Sequence, residues 1–315
     1  MAEPPLVVVA DPIDRAAVAT LQSGPCRVVD ASASPEELAR VLPEAWALVV
    51  RSRTKVTRQL LSAAPKLALV ARAGVGVDNV DLAAATARGI KVVNAPRAAG
   101  PSVAELAIAL YLLLLRELLP SIASTRAGRW ERGTRGHELL GRTVGFVGYG
   151  RIAREIAGRL QVFGARTVAF DPFLPGPVDT TELVSFDELL SRAEIVSVHA
   201  ALTPQTRHLL DARAFGKMRR GAFLVNVARG PLVDQVALLA ALRSGQLAGA
   251  ALDVFETEPP TDRELLEDSR VIPTHHLGAS THEAQRRAGE EIVGEVLRAV
   301  RGEPLTSQVT AEGGP

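Results

Sequence analysis

A glycine-rich turn in the middle of the chain has the spacing of a phosphate-binding loop. The strand predicted over residues 143–148 runs into Gly-x-Gly-x-x-Ala, formed by Gly148, Gly150 and Ala153, and a helical pattern follows. Gly148 permits a tight turn, Gly150 lets a pyrophosphate approach the backbone, and Ala153 is small enough for the helix to pack on the strand. Because the N-terminus of that helix would face the negative charge, the turn predicts a dinucleotide site.

An acidic residue stands where it could bind the ribose of such a dinucleotide. Asp171 ends the next predicted strand, 167–170, and lies 23 positions after Gly148. A carboxylate there can accept hydrogen bonds from the ribose diol of the adenosine. An ordinary turn beside a surface aspartate is the alternative, but strand, glycines, helix and acid in this order favour dinucleotide binding. Since Pro172 follows and the next basic residue is Arg192, the sequence predicts NAD rather than NADP.

Two loops in the first hundred residues carry groups that could contact an anion. Arg51 and Arg53 directly follow a predicted strand, and two arginines in a short turn suit a second anionic group such as a phosphate. A solvated basic loop is an equally good interpretation of the same residues. Gly74 and Gly76 also follow a predicted strand, but no small residue closes the motif. They predict a turn whose N–H groups face a cleft, not a second nucleotide site.

Strands and helices are predicted to alternate along the whole chain. Apolar, β-branched runs predict strands at residues 6–10, 26–30, 45–50, 67–72, 90–94, 143–148, 167–170, 195–199, 223–227, 248–254 and 271–273. Helical patterns occupy residues 13–22, 35–42, 57–64, 80–88, 102–119, 151–163, 186–190, 234–243 and 283–301. Crossovers of this length join parallel strands, so the sequence predicts an α/β fold with parallel sheets.

The helix predicted over residues 102–119 is the most apolar of these elements. Ser102 stands three residues before Glu105, which is the spacing of a capping box and predicts the start of the helix. Its body is apolar nearly all round. We therefore expect it to be buried on most sides, either between domains or in a subunit interface.

The composition excludes several classes of protein. The 36 basic and 35 acidic residues leave a formal charge of +1, which argues against a nucleic-acid-binding surface. The single cysteine, Cys26, excludes an internal disulfide framework and a cysteine-based metal site. No basic, apolar leader is visible, and the longest apolar run, residues 106–115, is too short to span a bilayer. We expect a soluble, cytoplasmic protein of two domains in its 315 residues, with no nucleic-acid partner, membrane or metal.

Three segments that follow predicted strands resemble the signatures of one enzyme family. They are Asn-Val-Ala-Arg-Gly-Pro-Leu-Val-Asp at 226–234, Gly-Ala-Ala-Leu-Asp-Val-Phe-Glu-Thr-Glu-Pro at 249–259 and His-Leu-Gly-Ala-Ser-Thr at 276–281. The chain resembles the D-isomer-specific 2-hydroxyacid dehydrogenases over nearly its whole length. Within that family, residues 51–54, 72–81 and 102–106 are similar to the subgroup that oxidises D-3-phosphoglycerate in serine synthesis.

The resemblance implies a catalytic set of three residues, and the reaction requires such groups. Oxidising a 2-hydroxy acid needs a cation for the carboxylate, a base for the hydroxyl proton and a hydride acceptor. Arg229 would bind the carboxylate with two parallel hydrogen bonds, and His276 would take the hydroxyl proton. Glu258 would orient the imidazole and favour its charged form. Glu258 is preferred to Glu256 because a proline follows it, and His276 to His275 because the residues after it have the family's offsets.

The resemblance also implies which residues contact the ligands. The implied cofactor contacts are Val75, Gly148, Gly150, Arg151, Ile152, Asp171, Ala200, Val227, Ala228, Asp253 and Gly278. The implied substrate contacts are Arg51, Ser52, Arg53, Gly74, Val75 and Arg229. One loop departs from the family pattern, since Arg-Ala-Ala-Gly at 97–100 replaces an Asn-Gly-Asn-like stretch. That loop leaves the substrate less defined and could supply Arg97 as a further phosphate ligand.

The family architecture implies an inserted domain. Residues 1–98 with 284–315 would form the substrate-binding domain, and residues 99–283 the Rossmann-like domain that binds NAD, with a cleft that closes on the ligands. The helix 102–119 would form a homodimer interface. We expect the chain to lack the C-terminal regulatory domain of longer relatives, and serine not to inhibit it. Two alternatives stay open: a reductase of glyoxylate, hydroxypyruvate or another 2-keto acid, and an NAD-sensing protein similar to the related corepressors.

Overall fold

The computed structural model describes residues 3–130, 132–133, 135–176 and 178–310. The chain divides into two compact units, one formed by residues 1–99 with 279–315 and the other by residues 100–278. The second unit therefore interrupts the first in sequence. That the first binds the substrate and the second NAD stays a prediction at this point.

Strands and helices alternate through the described residues. The strands are β1 (Leu6–Val9), β2 (Arg27–Asp30), β3 (Ala47–Val50), β4 (Leu69–Arg72), β5 (Lys91–Asn94), β6 (Thr143–Val147), β7 (Arg166–Phe170), β8 (Glu182–Leu183), β9 (Ile195–Val198), β10 (Ala222–Asn226), β11 (Leu247–Leu252), β12 (Val271–Pro273) and β13 (Gln308–Val309). The helices are α1 (Arg15–Gln22), α2 (Pro35–Val41), α3 (Arg58–Ser62), α4 (Leu82–Ala87), α5 (Gly100–Leu115), α6 (Leu118–Arg126), α7 (Arg151–Val162), α8 (Phe186–Arg192), α9 (Ala212–Lys217), α10 (Gln235–Arg243), α11 (Arg263–Glu267) and α12 (His282–Val300).

Every predicted strand and helix has a counterpart in the structure, with ends that differ by a few residues. The sequence did not predict β8, β13, α6, α9 and α11. The two strands have two residues each, and α9 and α11 have six and five, which is too short for a hydrophobic period to be recognised.

The sheet of the first unit has the strand order β13-β5-β4-β3-β1-β2. The strands β1 to β5 are parallel, and β13 pairs antiparallel with β5. Side chains alternate between two apolar cores, so that Val8 packs with Leu61 of α3 while Val7 packs with Ile292 of α12. The strand order reverses between β1 and β3. Open α/β sheets bind ligands beyond the carboxyl ends of the strands at such a switch point.

The sheet of the second unit has the order β12-β11-β10-β9-β6-β7-β8, and all its pairings are parallel. This is the doubly wound order of a dinucleotide-binding fold, with its switch point between β6 and β9. Helix α7 follows β6 and buries Ala153, Ile156, Ala157 and Leu160 along one face. The predicted α/β class with parallel sheets is confirmed.

The helix predicted over residues 102–119 is wrong at both ends. Helix α5 begins two residues earlier, so Ser102 lies buried inside its first turn and is not a cap. It ends at Leu115, where the carbonyl accepts a hydrogen bond from the His137 N–H (2.7 Å), and Glu117 adopts a left-handed φ of 47°. Among the described residues no single helix is long and apolar enough to cross a bilayer, and α5 and α6 together reach that length only across a 65° bend.

Candidate active site

The turn after β6 has the geometry of a phosphate cradle. Gly148 has a φ of 86°, and a Cβ atom there would lie 2.7 Å from the Ala200 nitrogen, so only glycine fits against the chain that follows β9. At Gly150, the N-cap of α7, a Cβ would meet no atom within 4 Å, and among the described residues no side-chain cap bonds the first N–H groups of the helix. Space and uncapped N–H groups together are what a pyrophosphate requires, so these residues fit NAD.

Asp171 follows β7 directly and is half-buried. Its Oδ2 accepts the Tyr149 N–H of the glycine turn (2.9 Å), and its Oδ1 accepts the Phe173 N–H (3.0 Å). Each carboxylate oxygen can accept a further hydrogen bond, so the ribose hydroxyls still have acceptors. In the first turn of α7, Arg151 is exposed and Ile152 is half-buried. The role of these residues as cofactor contacts stays a prediction.

A buried hydrogen-bond chain, which the sequence did not reveal, lies under the end of β9. The Tyr111 hydroxyl of α5 donates to Ser197 Oγ (2.6 Å), and Ser197 Oγ contacts His199 Nε2 (2.8 Å). A serine hydroxyl can donate one hydrogen bond and accept two, so Ser197 links the Tyr111 hydroxyl to the His199 ring. Burial lowers the pKa of His199 to about 3, which keeps the imidazole neutral. These hydrogen bonds from Tyr111 to Ser197 and on to His199 therefore hold the segment that leads from β9 into Ala200.

Arg229 follows β10 in a loop that is tightly held. The side chain of the buried Asn226 accepts the Ala228 N–H (3.0 Å) and donates to the Arg229 carbonyl (2.9 Å). A Cβ at Gly230 would lie 1.9 Å from the carbonyl carbon of Phe255, so the loop packs directly on the chain after β11. Nη1 of Arg229 donates to the Ala228 carbonyl (2.7 Å). Val227 is buried and Ala228 half-buried in the same turn.

His276 and Glu258 form a hydrogen-bonded pair. His276 Nδ1 lies 2.9 Å from Glu258 Oε2, while Glu258 Oε1 accepts the Phe255 N–H (3.2 Å). A carboxylate at Nδ1 accepts a hydrogen bond from the N–H of that nitrogen, which leaves Nε2 as the basic nitrogen of the ring. The side chains are 51% exposed at His276 and 40% exposed at Glu258, so the pair is accessible to a substrate.

Asp253 supports the loop that carries His276. It is 1% exposed; Oδ1 accepts from Thr274 Oγ1 (2.7 Å) and the Leu277 N–H (2.7 Å), and Oδ2 from the Gly278 N–H (2.9 Å). Its carbonyl also accepts the His276 N–H (2.8 Å), and His276 has a left-handed φ of 59°. The observed role of Asp253 is to position this loop. A direct cofactor contact from Asp253 or Gly278 stays a prediction.

The structure separates the two glutamates of the 249–259 segment. Glu256 Oε2 lies 3.1 Å from His208 Nε2, and its Oε1 accepts the Gln235 N–H (3.2 Å). Among the described contacts, Glu258 is thus the one of the two that reaches His276. His275 is exposed beside it.

In the first unit, the loop at 51–54 is held by Asp11, which the sequence interpretation missed. Asp11 accepts the N–H groups of Arg51 (2.7 Å) and Thr54 (3.1 Å). The Arg53 guanidinium donates to the carbonyls of Ala10 (3.1 Å) and Ser32, so it is engaged inside the unit. The signal that could have identified Asp11 is its place, two residues after a fully buried strand.

The neighbouring loop at 74–76 is tied to β5. Asn94 Nδ2 donates to the Val75 carbonyl (2.6 Å), and the Ala95 N–H donates to the Gly74 carbonyl (2.9 Å). Ser52 is exposed, and Gly74 and Val75 are half-buried. The suggestion that Arg97 is a phosphate ligand stays a prediction; its Nε and its backbone N–H donate to the Glu291 carboxylate (2.8 and 3.2 Å).

Comparison with known proteins gives concordant matches. A family sequence model described as "D-isomer specific 2-hydroxyacid dehydrogenase, NAD binding domain" matches residues 108–278. The D-3-phosphoglycerate dehydrogenase of Mycobacterium leprae is 49% identical over 98% of this chain and 60% of its own length. Two solved structures have the same fold. A glyoxylate reductase from Paecilomyes thermophila is 31% identical with a TM-score of 0.89, and the match covers 99% of this chain and 100% of that one. An NAD-dependent formate dehydrogenase from Staphylococcus aureus, in complex with NAD, is 31% identical with a TM-score of 0.85, and the match covers 98% of this chain and 100% of that one. The chain spans about 60% of the length of the curated relatives it matches.

Proposed function

The chain belongs to the D-isomer-specific 2-hydroxyacid dehydrogenases, and from this we propose that it oxidises D-3-phosphoglycerate to 3-phosphohydroxypyruvate with NAD, as a step of serine synthesis. The observation that carries the proposal is the contact between His276 Nδ1 and Glu258 Oε2, 2.9 Å, in a chain that also has the phosphate cradle after β6. Such a pair supplies the base that a hydroxyl oxidation requires.

Each residue of the site has a distinct task in this reaction. Arg229 binds the carboxylate of the acid and so places its C2 hydroxyl. His276 Nε2 takes the hydroxyl proton, while Glu258 holds the ring by Nδ1 and stabilises the charge that the ring gains. NAD, when bound, would supply the acceptor for the hydride that leaves C2. The α7 N-terminus would hold its pyrophosphate and Asp171 its ribose, which favours NAD over NADP.

The phosphorylated substrate is proposed from the loops of the first unit and from the relatives' activity. Arg51 and Arg53 follow β3, with Ser52 between them, and Gly74 and Val75 follow β4. An arginine can bind a phosphate with two parallel hydrogen bonds. The relative from Mycobacterium leprae is named for D-3-phosphoglycerate, at 49% identity. A glyoxylate or hydroxypyruvate reductase is the second candidate, favoured by the likeness to a glyoxylate reductase.

A panel of 2-keto acids with NADH separates these functions. We expect the highest kcat/KM for 3-phosphohydroxypyruvate, compared with hydroxypyruvate, glyoxylate and pyruvate. A higher kcat/KM for glyoxylate or hydroxypyruvate would move the assignment to the reductase. Binding of NADH without turnover of any acid would favour an NAD-sensing protein. Equal kcat/KM with NADPH would contradict the role given to Asp171.

We also propose that the protein is a homodimer that works in the cytoplasm. A groove of about 450 Å³ between α5 and α7 is lined by Ile108, Leu112, Val162 and Phe163, with Glu105 and Arg159 also lining it. Val162 is 90% exposed, and one acid and one base in the same groove suit pairing with a second copy about a two-fold axis. Light scattering on Val162→Asp should give half the wild-type mass; an unchanged mass would refute the interface.

The cytoplasmic location is proposed from the cysteine content, because a single cysteine is typical of a reducing compartment.

A further inference from the structure

Asp11 is a buried carboxylate at the switch point of the first unit's sheet. It follows β1, which lies next to β3 in the strand order, and it is 1% exposed. Burying a charged carboxylate is unfavourable unless strong hydrogen bonds compensate it. Burial by itself would raise the pKa of Asp11, but hydrogen bonds from Thr54 and Arg51 lower it below its usual value. Asp11 is therefore an anion at neutral pH, and its partners show what it holds.

Within the described part of the chain, the hydrogen-bond partners of the Asp11 carboxylate all belong to the loop after β3. The Arg51 N–H donates to Oδ2 (2.7 Å), the Thr54 N–H to both oxygens (3.1 Å each), and Thr54 Oγ1 to Oδ1 (2.6 Å). Asn79 completes the arrangement from the other side, because its Nδ2 donates to the carbonyls of Arg51 (3.0 Å) and Thr54 (2.8 Å). Residues 51 and 54 are thus held by both N–H and C=O groups. We call Asp11 and Asn79 the loop clamp.

The clamp treats the two arginines of the loop differently. Arg53 Nε lies 3.4 Å from Asp11 Oδ1, and its Nη2 donates to the carbonyls of Ala10 and Ser32. The guanidinium of Arg53 is therefore compensated within the unit. For Arg51 the structure shows backbone bonds to the clamp and, among the described residues, no hydrogen bond or ion pair of its guanidinium. Of the two cations, Arg51 has its charge left for a ligand.

We propose that Asp11 is a positioning residue for substrate recognition: it holds the 51–54 loop so that Arg51, and not Arg53, binds the second anionic group of the substrate. This inference rests on the proposed function, since it takes that second group to be the phosphate. Asp11 does not touch the substrate. Its effect passes through the backbone of Arg51, which it holds on one side while Asn79 holds it on the other.

A double-mutant cycle between Asp11 and Arg51 tests the inference. Asp11→Asn keeps the shape, but its NH2 group faces N–H donors, so the loop loses its hold. We expect the KM for 3-phosphohydroxypyruvate to rise about tenfold, as for the loss of one hydrogen bond to a charged group, while kcat and the KM for NADH change far less. With hydroxypyruvate, which has no phosphate, kcat/KM should stay near wild type. In an Arg51→Ala background, Asp11→Asn should add little.

Two further variants keep the test independent of folding. Asn79→Ala removes the other half of the clamp and should give the same selective rise in KM. Asp14→Asn is the matched control, because Asp14 caps α1 by accepting the Ala16 and Ala17 N–H groups and, among the described contacts, makes no bond to the 51–54 loop. The inference is overturned if Asp11→Asn lowers kcat/KM equally for both acids, or if its effect adds in full to that of Arg51→Ala. A wild-type enzyme without preference for the phosphorylated acid would instead overturn the proposed substrate, and this inference with it.

Discussion

Replacing Glu258 by glutamine tests the candidate acid–base pair with almost no change of shape. Glu258 accepts two hydrogen bonds, at Oε2 from His276 Nδ1 (2.9 Å) and at Oε1 from the Phe255 N–H (3.2 Å). Glutamine offers one carbonyl oxygen and one NH2 group, so it can accept only one of the two. The other donor then meets an NH2 group.

Both orientations of the new amide weaken the hold on the imidazole. With its oxygen towards Phe255, the side chain leaves His276 Nδ1 without an acceptor, and the ring is free to carry its proton on Nε2. With its oxygen towards His276, it loses the bond to the loop. A hydrogen bond to a charged group is worth roughly 1.5–3 kcal/mol, and the exposed side chains of this pair place it at the lower end. About 1.5 kcal/mol corresponds to a fall in kcat of about tenfold.

Steady-state kinetics with NADH and the best keto acid of the panel measure this fall. The matched control is Glu256→Gln, the same change two residues away. Glu256 binds His208 and the Gln235 N–H rather than His276, so its kcat should stay close to wild type. A wild-type kcat for Glu258→Gln would refute the pair as the acid–base device. An equal loss of kcat in both variants would show that catalysis depends on the structure of the loop that carries Glu256 and Glu258, and not on the carboxylate at His276.

Other substitutions test neighbouring groups. His276→Ala should lower kcat by about 10²–10⁴-fold while His275→Ala keeps most of it, and the reverse would assign the proton transfer to the other histidine. Gly230→Ala places a Cβ 1.9 Å from the Phe255 carbonyl carbon and should cost about 3 kcal/mol of unfolding free energy; a wild-type urea midpoint would contradict this packing. Burial lowers the pKa of His199 to about 3 in the folded protein, whereas the ordinary value of a histidine is near 6.5. The free energy of unfolding should therefore fall by up to about 1.4 kcal/mol per pH unit as the pH drops below 6.5. His199→Gln should flatten that slope in urea titrations, and an unchanged slope would show that the imidazole is not kept neutral.

Local signals in the sequence were enough to predict most of the strands and helices and the glycine turn. Gly148 and Gly150 act through their own backbone and their immediate neighbours, so their spacing alone predicted the cradle after β6. The end of α5 could not be predicted, because it depends on a hydrogen bond from His137, 22 residues beyond Leu115. The ion pair of Arg97 could not be predicted either, because its partner, Glu291, is 194 residues away in sequence.

Four polar side chains act by one common device, which depends on strand order. In each case a polar side chain at or just after the end of one strand holds the loop after the strand next to it. Asp11 after β1 holds the loop after β3, and Asp253 after β11 holds the loop after β12. Asp171 does the same from β7 to the turn after β6, and Asn94 from β5 to the loop after β4.

This device follows from the parallel sheets themselves. Parallel strands bring their carboxyl ends to one edge, where the N–H and C=O groups of neighbouring loops need partners from outside their own segments. A buried carboxylate accepts several N–H groups at once, as Asp253 and Asp11 each do. Which loop it serves depends on which strand is adjacent, and hydrophobic periodicity predicts strands without predicting their order. Sequence patterns therefore predict Arg51 and His276 as site residues, whereas Asp11, which holds the backbone of Arg51, became visible only with the strand order.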